Sequence, residues 1–234
     1  MSATKSIKRG AIPSPRSELA AAIPLVPLPS VPPQIIYVPN KLSMWHNDVH
    51  GDCCTAEEAF AKACHHPEIF ITDNEVEQWA EEHGWFEGAT LIEVLKAMQK
   101  AGFQENGHTY DDGTINSVNW TDAATLQSAL FHGPVKLGVG GNQLDALWHA
   151  HSGKSGWIAT GFKSEPTEDH CVSLCGYGTI GWLAKKLKTK APPGIASQPG
   201  YALFTWDTIG IIDVPSMIAI SHEAWLRTPT TIIV

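Results

Sequence analysis

Three short strings in this 234-residue chain carry side chains that could act together on a carbonyl group. The first, Asn47-Asp48-Val49-His50-Gly51-Asp52-Cys53-Cys54-Thr55-Ala56, delivers a cysteine to a helix start through a tight Gly-Asp turn. Helix amino-terminal amides carry partial positive charge, so a thiol there holds more of the thiolate that attacks carbonyls. The second string, Glu168-Asp169-His170-Cys171-Val172-Ser173-Leu174-Cys175-Gly176-Tyr177-Gly178, opens an apolar strand with a histidine. The third, Tyr201-Ala202-Leu203-Phe204-Thr205-Trp206-Asp207-Thr208-Ile209-Gly210, is a strand ending in an acid. A lone cysteine at a helix start is usually a small hydrophobe. Cys53, His170 and Asp207, each at the end of an element, instead supply nucleophile, base and orienter for covalent acyl transfer.

The elements that must position these residues are legible as periodicities. Ala56, Ala59, Phe60 and Ala63 mark one face of a helix that follows Asp52 and ends near His66-Pro67. Thr72 with Glu75 reads as a capping box for a second helix running to Glu82 and stopped by Gly84. Leu91, Val94, Leu95 and Met98 mark a third, closed by Gly102, and Thr121 or Asp122 caps a fourth carrying Leu126, Ala129 and Leu130. Strand patterns follow at Pro134–Val139, Cys171–Cys175, Tyr201–Trp206 and Ile218–Ile220. Helices first and strands second predict an α+β domain over residues 41–234, its helical part at about 45–130 packed beside an antiparallel sheet part at about 131–234. Residues 1–40 carry Pro13, Pro15, Pro24, Pro27, Pro29, Pro32, Pro33 and Pro39. Such spacing favours an extended arm that straps its own domain or reaches a neighbouring subunit.

Composition excludes several function classes. A net charge of −8 argues against general nucleic-acid binding, which needs a broad basic face. Lys5, Lys8, Arg9 and Arg16 form one small basic cluster, a solvated tail or a dock for an acidic partner. No run approaches the roughly 20 apolar residues that cross a bilayer. The stretch Ala20–Leu28 is broken by Pro24 and Pro27, so no signal peptide is expected and the expected location is cytoplasmic or virion-associated. Five cysteines at irregular spacing are expected to be reduced.

The three strings resemble the papain-like cysteine peptidases, over about Trp45 to Gly210. In that family a glutamine lies six residues before the nucleophile, a Gly-Pro-Val strand follows, Asp-His opens a strand ending in Gly-Tyr-Gly, and a later strand reaches Asn-Ser-Trp-Gly. Here Asn47 stands six before Cys53, and Gly133-Pro134-Val135, Asp169-His170 and Gly176-Tyr177-Gly178 match, while Asp207-Thr208-Ile209-Gly210 takes the last turn. The Asn-Asp-x-x-Gly-Asp-Cys string is similar to a branch of bacterial and phage proteins. The resemblance implies a papain-like fold and a hydrolase, peptidase or amidase, working through a thioester on a peptide or protein substrate. It implies an oxyanion site made by the Cys53 amide and the Asn47 side chain, and no cofactor. Cys54 is the rival nucleophile, but Asp48 stands six before it and its carboxylate would repel an oxyanion.

Other readings use the same residues. A transglutaminase-like acyl transferase also orders Cys, His and Asp. A non-catalytic structural or adaptor component of an assembly such as a phage particle would suit the arm. His50, Cys53, Cys54, Cys64, His65 and His66 are concentrated enough to suggest zinc, but they form no C-x-x-C pair, so no metal is expected. His149 and His151 are expected on a solvent loop.

Overall fold

The computed structural model describes residues 6–228 and the backbone of residues 231–233; Lys5 of the basic cluster lies outside the described residues. In chain order the elements are β1 (Ala11–Ile12), α1 (Arg16–Ala21), β2 (Ile35–Ile36), α2 (Cys53–Ala63), α3 (Asp73–Glu82), β3 (Ala89–Thr90), α4 (Leu91–Lys100), β4 (Phe103–Glu105), β5 (His108–Asp111), β6 (Ile115–Ser117), α5 (Ala123–His132), β7 (Val135–Val139), α6 (Asn142–Ala150), β8 (Ile158–Ala159), β9 (His170–Thr179), α7 (Ile180–Lys186), β10 (Pro199–Thr205), β11 (Thr208–Asp213), α8 (Val214–Ile220), β12 (Ser221–Arg227) and β13 (Thr231–Ile233).

Side-chain caps set the helix starts. Thr72 accepts from the Glu75 amide at α3, and Asp122, rather than Thr121, accepts from the Thr125 amide at α5. The full reciprocal capping box sits at α4, between Thr90 and Glu93. One strand expectation is corrected. Ile218–Ile220 lies in α8, because Asp213 caps the Ser216 amide and Pro215 sits in the first turn, a combination that starts a helix. The strand comes directly after, as β12.

The main sheet runs β6-β12-β7-β9-β10-β11-β8, with β2 added beside β9. Its β12, β7, β9, β10 and β11 neighbours pair antiparallel, and only the β11–β8 pair is parallel. Alternation along β9 divides two cores: Cys171 and Cys175 join the core containing α2, α3 and α4, whereas Val172 and Leu174 join the core containing α5. Because both faces are covered, the sheet ends become rigid supports for side chains.

The Pro-rich segment lies against this same chain. The Leu25 amide donates to Ser117 O (2.8 Å), the Leu28 amide to Ser128 Oγ (2.6 Å), and Tyr177 Oη to Pro32 O (2.7 Å). Ile35 and Ile36 pair with Tyr177 and Gly176 of β9. The segment is interrupted by the short helix α1, where Glu18 pairs with Lys96. No helix among the described residues is long and apolar enough to cross a membrane.

Candidate active site

Cys53 is the first residue of α2 and is 2% exposed. Burial opposes its ionisation, but hydrogen bonding from Cys54 and His170, the charge of His170 and the Cys171 amide together hold the thiol well below the usual cysteine range. Cys54, one residue further, behaves oppositely. Burial and its contacts with Cys171 and Cys53 push its thiol well up, and its Sγ lies 3.5 Å from Ala89 O. Two adjacent cysteines on one helix turn thus sit in different electrostatic surroundings, and only Cys53 is placed with the histidine.

His170 opens β9 and is fully buried. Its Nε2 lies 2.7 Å from Thr205 Oγ1, which leaves Nδ1, without another partner among the described residues, as the ring nitrogen available to the thiol. Trp206 stacks on the imidazole at 4.5 Å and 17°, shielding the Thr205 contact from water. The sequence predicts Asp207 as the orienter; the structure gives that nitrogen to Thr205. The hairpin explains the difference. Thr205 pairs with Thr208, so Trp206 and Asp207 form a two-residue turn, with Trp206 at φ 53°, and Thr205 is the last residue still on β10. Asp207 sits partly buried at the turn.

Asn47 is buried beside α2, its Nδ2 donating to His50 O (3.0 Å) and to Asp52 Oδ1 (3.3 Å). Asp52 is pushed up to about 8, first by burial and then by the negative charge of Cys53, against the Asn47 hydrogen bond. Asp112 and Glu168 are likewise pushed up, to about 7 and about 9, mainly by burial. A folded-state carboxyl raised in this way keeps its proton while the unfolded chain loses it. Stability therefore falls as pH rises from about 4 toward 8, by up to about 1.4 kcal/mol per pH unit for one such group. The melting temperature is expected to drop between pH 5 and pH 8, and Asp52→Asn should flatten that slope. Parallel profiles for the two proteins would refute the assignment to Asp52.

A strand of the arm bridges the two walls of this site. The Lys8 amide donates to Asn47 O (2.8 Å) on the helix side, while Lys8 O accepts from Trp206 Nε1 (3.0 Å) on the sheet side. Gly10 O accepts from the Ala89 amide (3.0 Å), and the Ala11 amide donates to Asp169 O (3.1 Å). Arg9 pairs with Asp169 at 2.8 Å and donates to Asn142 Oδ1 at 3.0 Å. The passage is tight at Gly10, where an added Cβ would lie 1.8 Å from Gly51 O.

Beneath Cys53 lies a buried ionic network that no periodicity announces. Lys136 of β7 donates to Cys54 O (2.7 Å), Glu57 (2.8 Å) and Glu58 (2.6 Å) of α2. Arg227 of β12 reaches Glu57 and Glu58, each at 3.0 Å, and Lys62 pairs with Asp112. All six side chains are buried. Arg227 and Lys136 hold Glu58 down to about 2 despite its burial. The signal available in sequence is a single Lys inside the apolar run Val135-Lys136-Leu137 and three charges on one short helix.

The remaining candidates are dispersed. His50 pairs with Glu77 (3.0 Å) and stacks on Phe86, and His65 Nδ1 lies 3.1 Å from Pro67 O. Among the described residues no group of three or more His, Cys, Asp or Glu could hold a metal ion. His149 lies on α6, not on a loop as the sequence predicts, and pairs with Asp145 one turn earlier; His151 caps that helix.

A cysteine on a helix of one lobe and a histidine at the start of a strand of the other, meeting between them, define the papain-like fold. Solved structures agree. Xylellain, a cysteine protease from Xylella fastidiosa, superposes with a TM-score of 0.64 at 12% identity over 98% of each chain. Digestive procathepsin L 3 of Tenebrio molitor larval midgut gives 0.61 at 11% identity, over 96% of this chain and 76% of that one. A Carica candamarcensis cysteine protease in complex with E-64 gives 0.58 at 13% identity, over 85% of this chain and 99% of that one. No family model and no curated protein matches the sequence.

Proposed function

We propose that this chain is a cysteine hydrolase acting on peptide or amide bonds, held latent by its own amino-terminal arm. The observation that carries this reading is the Cys53 thiol at the amino end of α2, held well below the usual cysteine range by hydrogen bonding from Cys54 and from an imidazole whose other nitrogen lies on Thr205. His170 Nδ1 takes the thiol proton, and the thiolate attacks the substrate carbonyl carbon. The tetrahedral oxyanion lies toward the Cys53 amide and the Asn47 side chain; Asn47 would release Asp52 or His50 to donate to it. Collapse breaks the C–N bond, and the leaving amine takes the proton from His170. Water, deprotonated by His170, then hydrolyses the thioester and restores the thiol. Thr205 orients the ring but, unlike a carboxylate, brings no charge to the imidazolium.

The experiment is hydrolysis of a denatured protein and of fluorogenic peptides by the full chain carrying Gly10→Val, which displaces the arm. Activity is expected there and should fall by about 10⁴-fold or more on adding Cys53→Ala. Iodoacetamide at pH 6 should label Cys53 ahead of the other four thiols in the displaced form, since an ordinary thiol is protonated at that pH. Activity that survives Cys53→Ala, or Cys64 or Cys175 labelled first, would refute the reading.

A further inference from the structure

Two buried carboxyls stand beside the site with no cation paired to either among the described residues. Glu168 precedes the base by two residues on the approach to β9, and Glu223 lies on β12, with β7 between the two strands in the sheet. They meet over Gly138 of β7: an added Cβ there would sit 2.3 Å from Glu168 Oε1 and 2.9 Å from Glu223 Cγ. The missing side chain at 138 is what makes room for both acids. Glu168 is 6% exposed and Glu223 2%, and neither takes part in an ion pair among the described residues. Glu223 accepts from Trp225 Nε1 on one oxygen and from the Ser14 amide on the other (3.0 Å). Glu168 hydrogen-bonds Glu223, and its Oε1 has no partner of its own among the described residues. A buried acid pair left in that state is costly unless donors or a cation complete it.

The arm shows what lies in front of the pair. Between residues 11 and 20 only Ala11 and Ser14 are buried, and Ile12 and Pro13 face solvent. Chain crossing the cleft therefore turns residue 14 inward, onto Glu223. Ser14 fills the place poorly, because its Oγ is also buried without a partner among the described residues. Its hydroxyl is too short to bridge two carboxyls, whereas an ammonium or guanidinium on a longer stem brings several donors and the missing charge.

We infer that Glu168 and Glu223 form a pocket selecting a Lys or Arg side chain of a peptide lying in the cleft, and that Ser14 plugs this pocket in the latent chain. The inference rests on the hydrolase reading for its consequence, a cleavage preference, but the pocket can be read by binding alone. Burial and, after it, the charge of Glu223 push Glu168 up to about 9, and an entering cation offsets the repulsion between the two.

The test uses the full chain with Gly10→Val and Cys53→Ala, titrated calorimetrically at pH 7 with hexapeptides. In these, Lys or norleucine is moved through each position in turn. At one position Lys should bind at least about tenfold tighter than norleucine, and Glu168→Gln with Glu223→Gln should abolish the difference. In the latent chain, Ser14→Lys should melt higher than Ser14→Met, an advantage lost in the same double variant. Equal affinity of the two peptide sets, binding of neither, or a Lys preference that survives the double variant overturns the inference. Lys-selective binding without turnover in the Cys53 parent would leave the pocket standing and refute the hydrolase reading instead.

Discussion

Lys136→Met should cost the folded protein about 3–5 kcal/mol, a large share of the roughly 5–15 kcal/mol that holds a typical domain together. Lys136 is fully buried and is the cation nearest both Glu57 and Glu58, at 2.8 and 2.6 Å. Removing it leaves two carboxylates sharing Arg227 in a place water does not reach, and also removes the donor to Cys54 O. Uncompensated buried charge is the expensive outcome; a deleted pair is not. Lys136→Met combined with Glu58→Met should therefore be more stable than Lys136→Met alone. Urea unfolding followed by tryptophan fluorescence measures both, and for a chain of this size the single variant should melt roughly 10 °C lower. A single variant within about 1 kcal/mol of the parent would mean that the network does not dock α2 on the sheet. The consequence reaches the site, because the residues that grip Lys136 lie within the first two turns after Cys53.

What was legible in the sequence was what is local. Cys53 at a helix start and His170 at a strand start follow from turn chemistry and alternation within about ten residues, and the structure puts them together. Thr205 was not singled out because a strand pattern does not reveal where its hairpin turns. Trp206 and Asp207 read as the end of a strand, yet they form the turn, and the ring contact falls to Thr205. Ile218–Ile220 misled because three apolar residues have no period of their own, and the cap at Asp213 decided for helix. The ionic network was invisible for a different reason. Glu57, Asp112, Lys136 and Arg227 are each expected at a surface by type, and only pairing between residues up to 170 positions apart makes their burial tolerable. Glu168 and Glu223 were hidden in the same way, one beside the histidine motif and one in a strand whose alternation they spoil.

Gly10→Val should raise the rate of Cys53 alkylation about 100-fold or more at pH 6 while leaving the rest of the domain folded. An added Cβ at Gly10 would lie 1.8, 2.6 and 2.9 Å from Gly51 O, C and Cα, all backbone atoms. Gly51 cannot move aside cheaply, since its amide is bonded to Phe86 O at 2.6 Å, and Gly10 is pinned from the other side through Ala89. The segment 8–14 is held by the hydrogen bonds of Lys8, Gly10, Ala11 and Ser14 and by a partly exposed Arg9–Asp169 pair. At about 1 kcal/mol for each hydrogen bond and about 1–2 kcal/mol to order each residue, the balance is close. A clash of 1–3 kcal/mol or more is then enough to tip the segment off the cleft. The other attachments, at Leu25, Leu28, Pro32 and β2, are distant from Gly10 and keep the remainder of the arm in place. Gly10→Ala carries the same Cβ and should act in the same direction, more weakly. Because the strap and the cleft belong to one chain, the labelling rate should not depend on protein concentration. A rate that falls on raising the concentration would instead place the arm of one molecule in the cleft of another, and an unchanged rate in Gly10→Val would show that segment 8–14 is not what hides Cys53.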